Sequence, residues 1–188
     1  MTDYGNKAWG SVPLTAAPED KISTHFQLRE LTRSEIANRL NIDNQFPSEK
    51  ELHAAVYLCR EVLESLRTAF GSFSPNSVYR GQNLERALKG KPWSWVSTSQ
   101  HTLGCACDVE IAGKPTLELA HWAQKNLKQF DQIICECYNP QQGPNSGWVH
   151  ISLRPPGYGA NRKQLLSYVF DPASRRYVYV PGLTASVA

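Results

Sequence analysis

The chain has 188 residues, 41 % of them hydrophobic, and its 20 Lys and Arg against 17 Asp and Glu give a formal net charge of +3. That is the size of one domain, and too much apolar material for a disordered chain. No stretch approaches the 18 or more consecutive apolar residues of a membrane helix, and the scattered basic residues lack the patch and high pI of nucleic-acid binders, so neither partner is expected.

Met1 to Lys7 shows no basic segment followed by an apolar one, so a secretory signal is not expected and synthesis is expected in the cytoplasm. Residues 1–21 mix Gly, Pro, Ala and charge without periodicity and read as a loose N-terminal arm. Residues 22–188 read as one domain with a C-terminal extension. Thr32 with Glu35 three positions on has the capping-box pattern and predicts a helix through Ile36, Ala37 and Leu40. Ser48, again with a Glu three residues later, predicts the cap of a long helix. Its apolar positions Leu52, Val56, Leu63, Leu66 and Phe70 approximate a period of 3.6 residues, and it should stop near Gly71.

Ser77 to Arg80 predicts a short strand, Asn83 to Leu88 a short helix ended by Gly90, and Lys91 to His101 a polar loop. Cys105 to Ile111 reads as a strand and Pro115 to Leu127 as a helix. Gln132 to Cys137 and Trp148 to Leu153 read as two strands of a long hairpin, and Tyr177 to Val180 as an edge strand. The expected fold class is α+β: a small antiparallel sheet, with helices packed on one of its faces.

Alternate residues of a strand face one side of a sheet. Asp108, Glu136 and His150 therefore share a polar surface, while Cys107, Val149 and Ile151 turn toward the helices. His101, just before the first strand, can fold over that surface. Two histidines and a carboxylate suit Zn²⁺ with an open fourth position for water. Glu118 and His121, three apart on a predicted helix, read as a solvated face.

Five cysteines form no closed disulfide framework and point to reduced thiols. The pairs Cys105/Cys107 and Cys135/Cys137 are open to a second metal or a redox switch. Strand parity instead places all four behind the sheet as small core residues.

Ser99-Gln100-His101-Thr102-Leu103-Gly104-Cys105-Ala106-Cys107-Asp108 resembles the S-x-H-x-x-G-x-A-x-D signature of the zinc D-Ala-D-Ala carboxypeptidases and related phage endolysins. Trp148-Val149-His150 resembles their W-x-H segment. Val78-Tyr79-Arg80 with Asn83 is similar to their S-G-Y-R-x-x-x-N segment, and His25-Phe26 through Ser34 to their H-F-x-L-x-E-L-x-x-S opening. The resemblance implies His101, Asp108 and His150 as Zn²⁺ ligands, and Arg80 as an oxyanion and substrate-holding residue. Asn83, Ser99 and Trp148 follow as substrate contacts. Some relatives carry an acidic base three residues before the last histidine. That position is Gly147 here, so Glu136 is the expected general base.

The implied activity is hydrolysis of a peptidoglycan stem peptide, at D-Ala-D-Ala or L-Ala/D-Glu, by a monomeric enzyme that reaches the cell wall after release. Two rival readings are a non-catalytic virion or tail module that keeps the fold, and a thiol-based metal or redox sensor.

Overall fold

The second half of the chain builds a five-stranded sheet in the computed structural model, which describes residues 1–185. Its strands are β1 (Ala106–Val109), β2 (Gln132–Glu136), β3 (Trp148–Ser152), β4 (Gln164–Asp171) and β5 (Arg176–Pro181), in the order β1-β3-β2-β4-β5. The expected hairpin is present, with Glu136 opposite Trp148 and Gln132 opposite Ser152. The fold is α+β, as its periodicities predict. The sheet is mixed rather than all antiparallel, because β4 lies parallel to β2, Gln132 opposite Gln164. β3 ends beside the start of β2, so an 11-residue loop from Leu153 to Lys163 can step across β2 at that end without a crossover helix.

Three helical segments form one rod: an α-helix (Glu49–Leu58), a π-helical stretch (Cys59–Leu63) and a second α-helix (Glu64–Phe70). Ser48 caps it, its hydroxyl accepting from the Lys50 N–H at 3.1 Å and donating to Glu51. The apolar stripe of this rod, Leu52, Val56, Val62, Leu63 and Leu66, packs in one core with Cys107, Val109, Ile133, Cys135, Val149 and Ile151 of the sheet. Each such side chain contributes on the order of 2 kcal/mol through burial. A further helix (Thr116–Asn126) lays Leu119, Ala120 and Ala123 against β2 and β3.

Four local expectations change. The first predicted helix is capped by Ser34, whose hydroxyl accepts from Ala37 N–H at 3.1 Å, because Thr32 already closes a short helix (Arg29–Thr32). Ser77 to Arg80 makes only one bridge, Ser77 to Asp108, and no strand. β4 forms over Gln164–Asp171, where the sequence predicts no element. Finally, the N-terminal segment is not loose: Val12 is fully buried, Trp9 packs edge-on against Tyr57, and Arg60 donates to the carbonyls of Tyr4, Lys7 and Ile22.

Candidate active site

The ligand candidates come from three places in the chain. A 3₁₀ turn (Gln100–Leu103) carries His101, β1 carries Asp108 and β3 carries His150 directly opposite it. The turn sits tight on the helix Glu49–Leu58 because Gly104, at φ +68°, leaves no room for a side chain: a Cβ there would lie 2.2 Å from the Glu51 carbonyl oxygen. His101 Nε2 lies 3.2 Å from Asp108 Oδ1 and 3.2 Å from His150 Nδ1, and His150 Nδ1 lies 3.0 Å from Asp108 Oδ1. All three residues are buried.

This triangle is the shape of a metal site. Atoms 2.0–2.1 Å from a tetrahedral ion sit ~3.3 Å apart. The Val78 carbonyl accepts a hydrogen bond from His101 Nδ1 at 2.7 Å, so the neutral ring leaves Nε2 with a lone pair. That lone pair faces a carboxylate oxygen and a second imidazole nitrogen, an arrangement a cation satisfies. Burial lowers the His101 pKa and favours the neutral ligating ring. Burial is the largest influence on His101 and outweighs the pull of Asp108 toward the charged ring. Among the described residues this is the only such cluster of three, and no cysteine belongs to it.

Arg80 donates to the other Asp108 oxygen, Oδ2, at 2.9 Å. Its Nε faces Glu85 Oε1 at 3.4 Å, and Glu85 is itself fully buried, bonded to Lys89 at 2.7 Å and to Ser97 at 2.8 Å. Burial works to raise Glu85, but its bonds to Lys89 and Ser97 and the Arg80 charge keep it ionised, below the usual value. Arg80 is thus held between two carboxylates, with Nη1 free of protein partners among the described residues. Only the i, i+4 spacing of Glu85 and Lys89 hinted at this in the sequence. Asn44, also missed, clamps the Arg80 segment by bonding to the Thr32 and Tyr79 carbonyls and the Gly81 N–H.

A cleft of about 480 Å³ opens over the triad; Arg80, Ser99, His101, Glu136 and His150 all line it. Glu136 is on the same sheet face as the triad, as strand parity predicts, and burial pushes its carboxyl above the usual value despite the opposing pull of His150. Trp148 stands beside it in register, and its buried indole N–H also acts to lower the Glu136 pKa against the effect of burial. Asn83 is not brought to the site: it is exposed and accepts from Arg86 on its own helix (Gln82–Lys89). The expected position of an alternative base, Gly147, cannot hold a side chain, since a Cβ there would lie 2.1 Å from the Glu136 carbonyl oxygen. Glu118 and His121 are exposed, as expected.

The thiols depart from expectation in part. Cys107 and Cys135 are core residues and Cys105 is buried outside the main cluster, but Cys137 is only half-buried. It lies one residue past the end of β2 with φ +55°, where strand parity no longer applies.

No curated protein and no solved structure matches the chain significantly. The family model described as Peptidase M15 matches residues 24–152, which include the His101/Asp108/His150 triangle, Arg80 and Glu136. With that match over more than half of the chain, and a buried His/Asp/His triangle shaped for a metal ion, the protein belongs to the peptidase M15 family.

Proposed function

We propose that this protein is a zinc-dependent peptidase that hydrolyses amide bonds in peptidoglycan stem peptides, as a phage-type cell-wall lysis enzyme. The observation that carries the reading is the triangle of convergent ligand atoms, 3.0–3.2 Å apart, beneath a cleft that the half-buried carboxylate Glu136 also lines. Three protein ligands rather than four leave the open position of a catalytic site. The substrate class rests on the resemblance of the His101 and Trp148 segments to peptidoglycan-cleaving relatives.

Zinc held by His101, Asp108 and His150 would polarise the scissile carbonyl and lower the pKa of its water towards ~7. Glu136 takes a proton from the attacking water and returns it to the leaving amine. Its raised pKa suits both transfers, because a base poised nearer neutrality also becomes the better acid. Arg80 Nη1 supplies a donor and positive charge where the oxyanion develops. Glu85 and Asp108 hold that guanidinium in place, so it needs little reorganisation as charge appears.

Two measurements test this. Purified protein should bind about one zinc per chain, and His101→Ala and His150→Ala should each abolish binding; full zinc in both variants would refute the ligand set. Glu136→Gln should keep zinc and lose about 10²–10⁴-fold in hydrolysis of purified muropeptides, the usual contribution of a general base. Mass analysis of the products identifies the bond cut. A zinc-loaded parent that cleaves no stem peptide would favour a non-catalytic module.

A further inference from the structure

The cleft extends beyond the part of the chain that matches the family. Arg154, Arg162 and Tyr179, all after residue 152, line it together with His101 and His150. Arg154 and Arg162 are brought together by the loop between them. Asn161 closes that loop on Arg154, its Oδ1 accepting from the Arg154 N–H at 2.9 Å and its Nδ2 donating to the Arg154 carbonyl at 3.0 Å. Both arginines then meet Asp131, which is fully buried. Arg162 Nε lies 3.0 and 3.1 Å from its two oxygens, the Arg162 backbone N–H donates at 2.9 Å, and Arg154 Nε approaches to 3.8 Å.

One buried carboxylate thus faces two guanidinium groups, and a net positive charge is left over. Arg80 and Lys89, the other cations of the cleft, are each committed to Asp108 or Glu85. Arg162 Nη1 and both Arg154 Nη atoms donate to nothing among the described residues, while the two side chains remain 47 % and 33 % exposed. On the same wall Gln100 spends its Nε2 on Asp131 at 2.8 Å and leaves its buried Oε1 without a partner. An acceptor beside two surplus guanidinium donors matches a peptide N–H next to a carboxylate.

The direction along the sheet places this group relative to the chemistry. Glu136 pairs with Trp148 on one side of His150, whereas Gln132, Ser152 and then Arg154 lie on the other. At ~3.3 Å per residue, Arg154 starts roughly 13 Å along β3 from His150. An extended peptide with its scissile bond at the triad would present a group two to four residues away to the arginines.

We propose that Arg154 and Arg162 form a carboxylate subsite that makes this enzyme selective for substrates bearing a free carboxylate two to four residues from the cleaved bond. The proposal rests on the peptidase reading above. The test compares kcat/KM for zinc-loaded protein on synthetic stem peptides in which each carboxylate in turn, side-chain, α or C-terminal, is converted to its amide. For the parent, one amidation should cost about 10–100-fold, the scale of a charge-assisted hydrogen-bond pair. Arg154→Gln should cleave the free and amidated forms at equal kcat/KM, and Arg154→Lys should restore part of the difference. Arg154 is the variant of choice because its contact with Asp131 is the longer one. Equal cleavage of all peptides by the parent would overturn the subsite, as would discrimination that survives in Arg154→Gln. Cleavage of none of them by the parent would overturn the substrate reading and the subsite with it.

Discussion

Gly147 lies three residues before His150 with φ +70°, and its α-carbon faces the backbone of Glu136 and Cys137. A side chain there meets two costs: the left-handed conformation, roughly 1–2 kcal/mol for an L-residue, and displacement of a strand backbone 2.1 Å from the new Cβ. Gly147→Ala should therefore destabilise the protein by more than about 2 kcal/mol, read from the urea midpoint. A loss under about 0.5 kcal/mol would show that the loop has room, and would reopen this position for a carboxylate. With position 147 closed to a side chain, Glu136 on β2 is the carboxylate that lines the cleft over the triad. Its candidacy was legible from parity alone, because a strand of five residues has only two faces. The Glu85 support of Arg80 was not legible. Arg80 reads as a lone cation until the fold sets Asp108, 28 residues away, and Glu85 on either side of it.

At the scale of elements, alternation located β1, β2 and β3 and the face that each residue occupies. It failed where its premise fails. β4 is apolar on both faces, with Leu165 and Val169 packed on the core side and Leu166, Tyr168 and Phe170 on the other, so no polar alternation marks it. Cys137 escapes parity because the strand ends before it. That difference is measurable. The thiolate is the reactive form, and burial pushes Cys135 up to about 12 and Cys105 up to about 11, while Cys107 rises further and lies fully buried. In native protein a maleimide should modify Cys137 first, and Cys59, Cys105, Cys107 and Cys135 should react only slowly until denaturant is added. Rapid native labelling of all five would contradict the packing of the helical rod on the sheet.

Across the whole molecule, Asp131 joins segments far apart in the chain: Gln100 before β1, the loop before β4, and its own position at the start of β2. Burial acts to raise its pKa, but the hydrogen bonds from Arg162 and Gln100 outweigh that and hold it below the usual value. A folded pKa lower than the unfolded one, ~3.9, means the stabilisation is complete above that value and is lost as pH falls through the folded pKa. Asp131→Asn should cost about 2–4 kcal/mol at pH 7, because two arginines lose their buried counter-charge. The gap between variant and parent in urea unfolding should shrink at pH 3; a gap equal at both pH values would refute the ion-pair account. The sequence by itself determined the α+β class, the rod and its Ser48 cap, four of the five strands including the edge strand β5, and the polar face that carries Asp108, Glu136 and His150. These follow from caps and periodicities that operate over a few neighbouring residues. The tertiary structure decided the mixed pairing of β4, the docking of the N-terminal segment on Arg60, and the pairing of Arg154 with Arg162 over Asp131. Each of these depends on contacts between residues such as Arg60 and Ile22, 38 positions apart, or Arg162 and Asp131, 31 apart. No local pattern encodes such a contact, because it forms only when burial of the shared core brings the distant segments together.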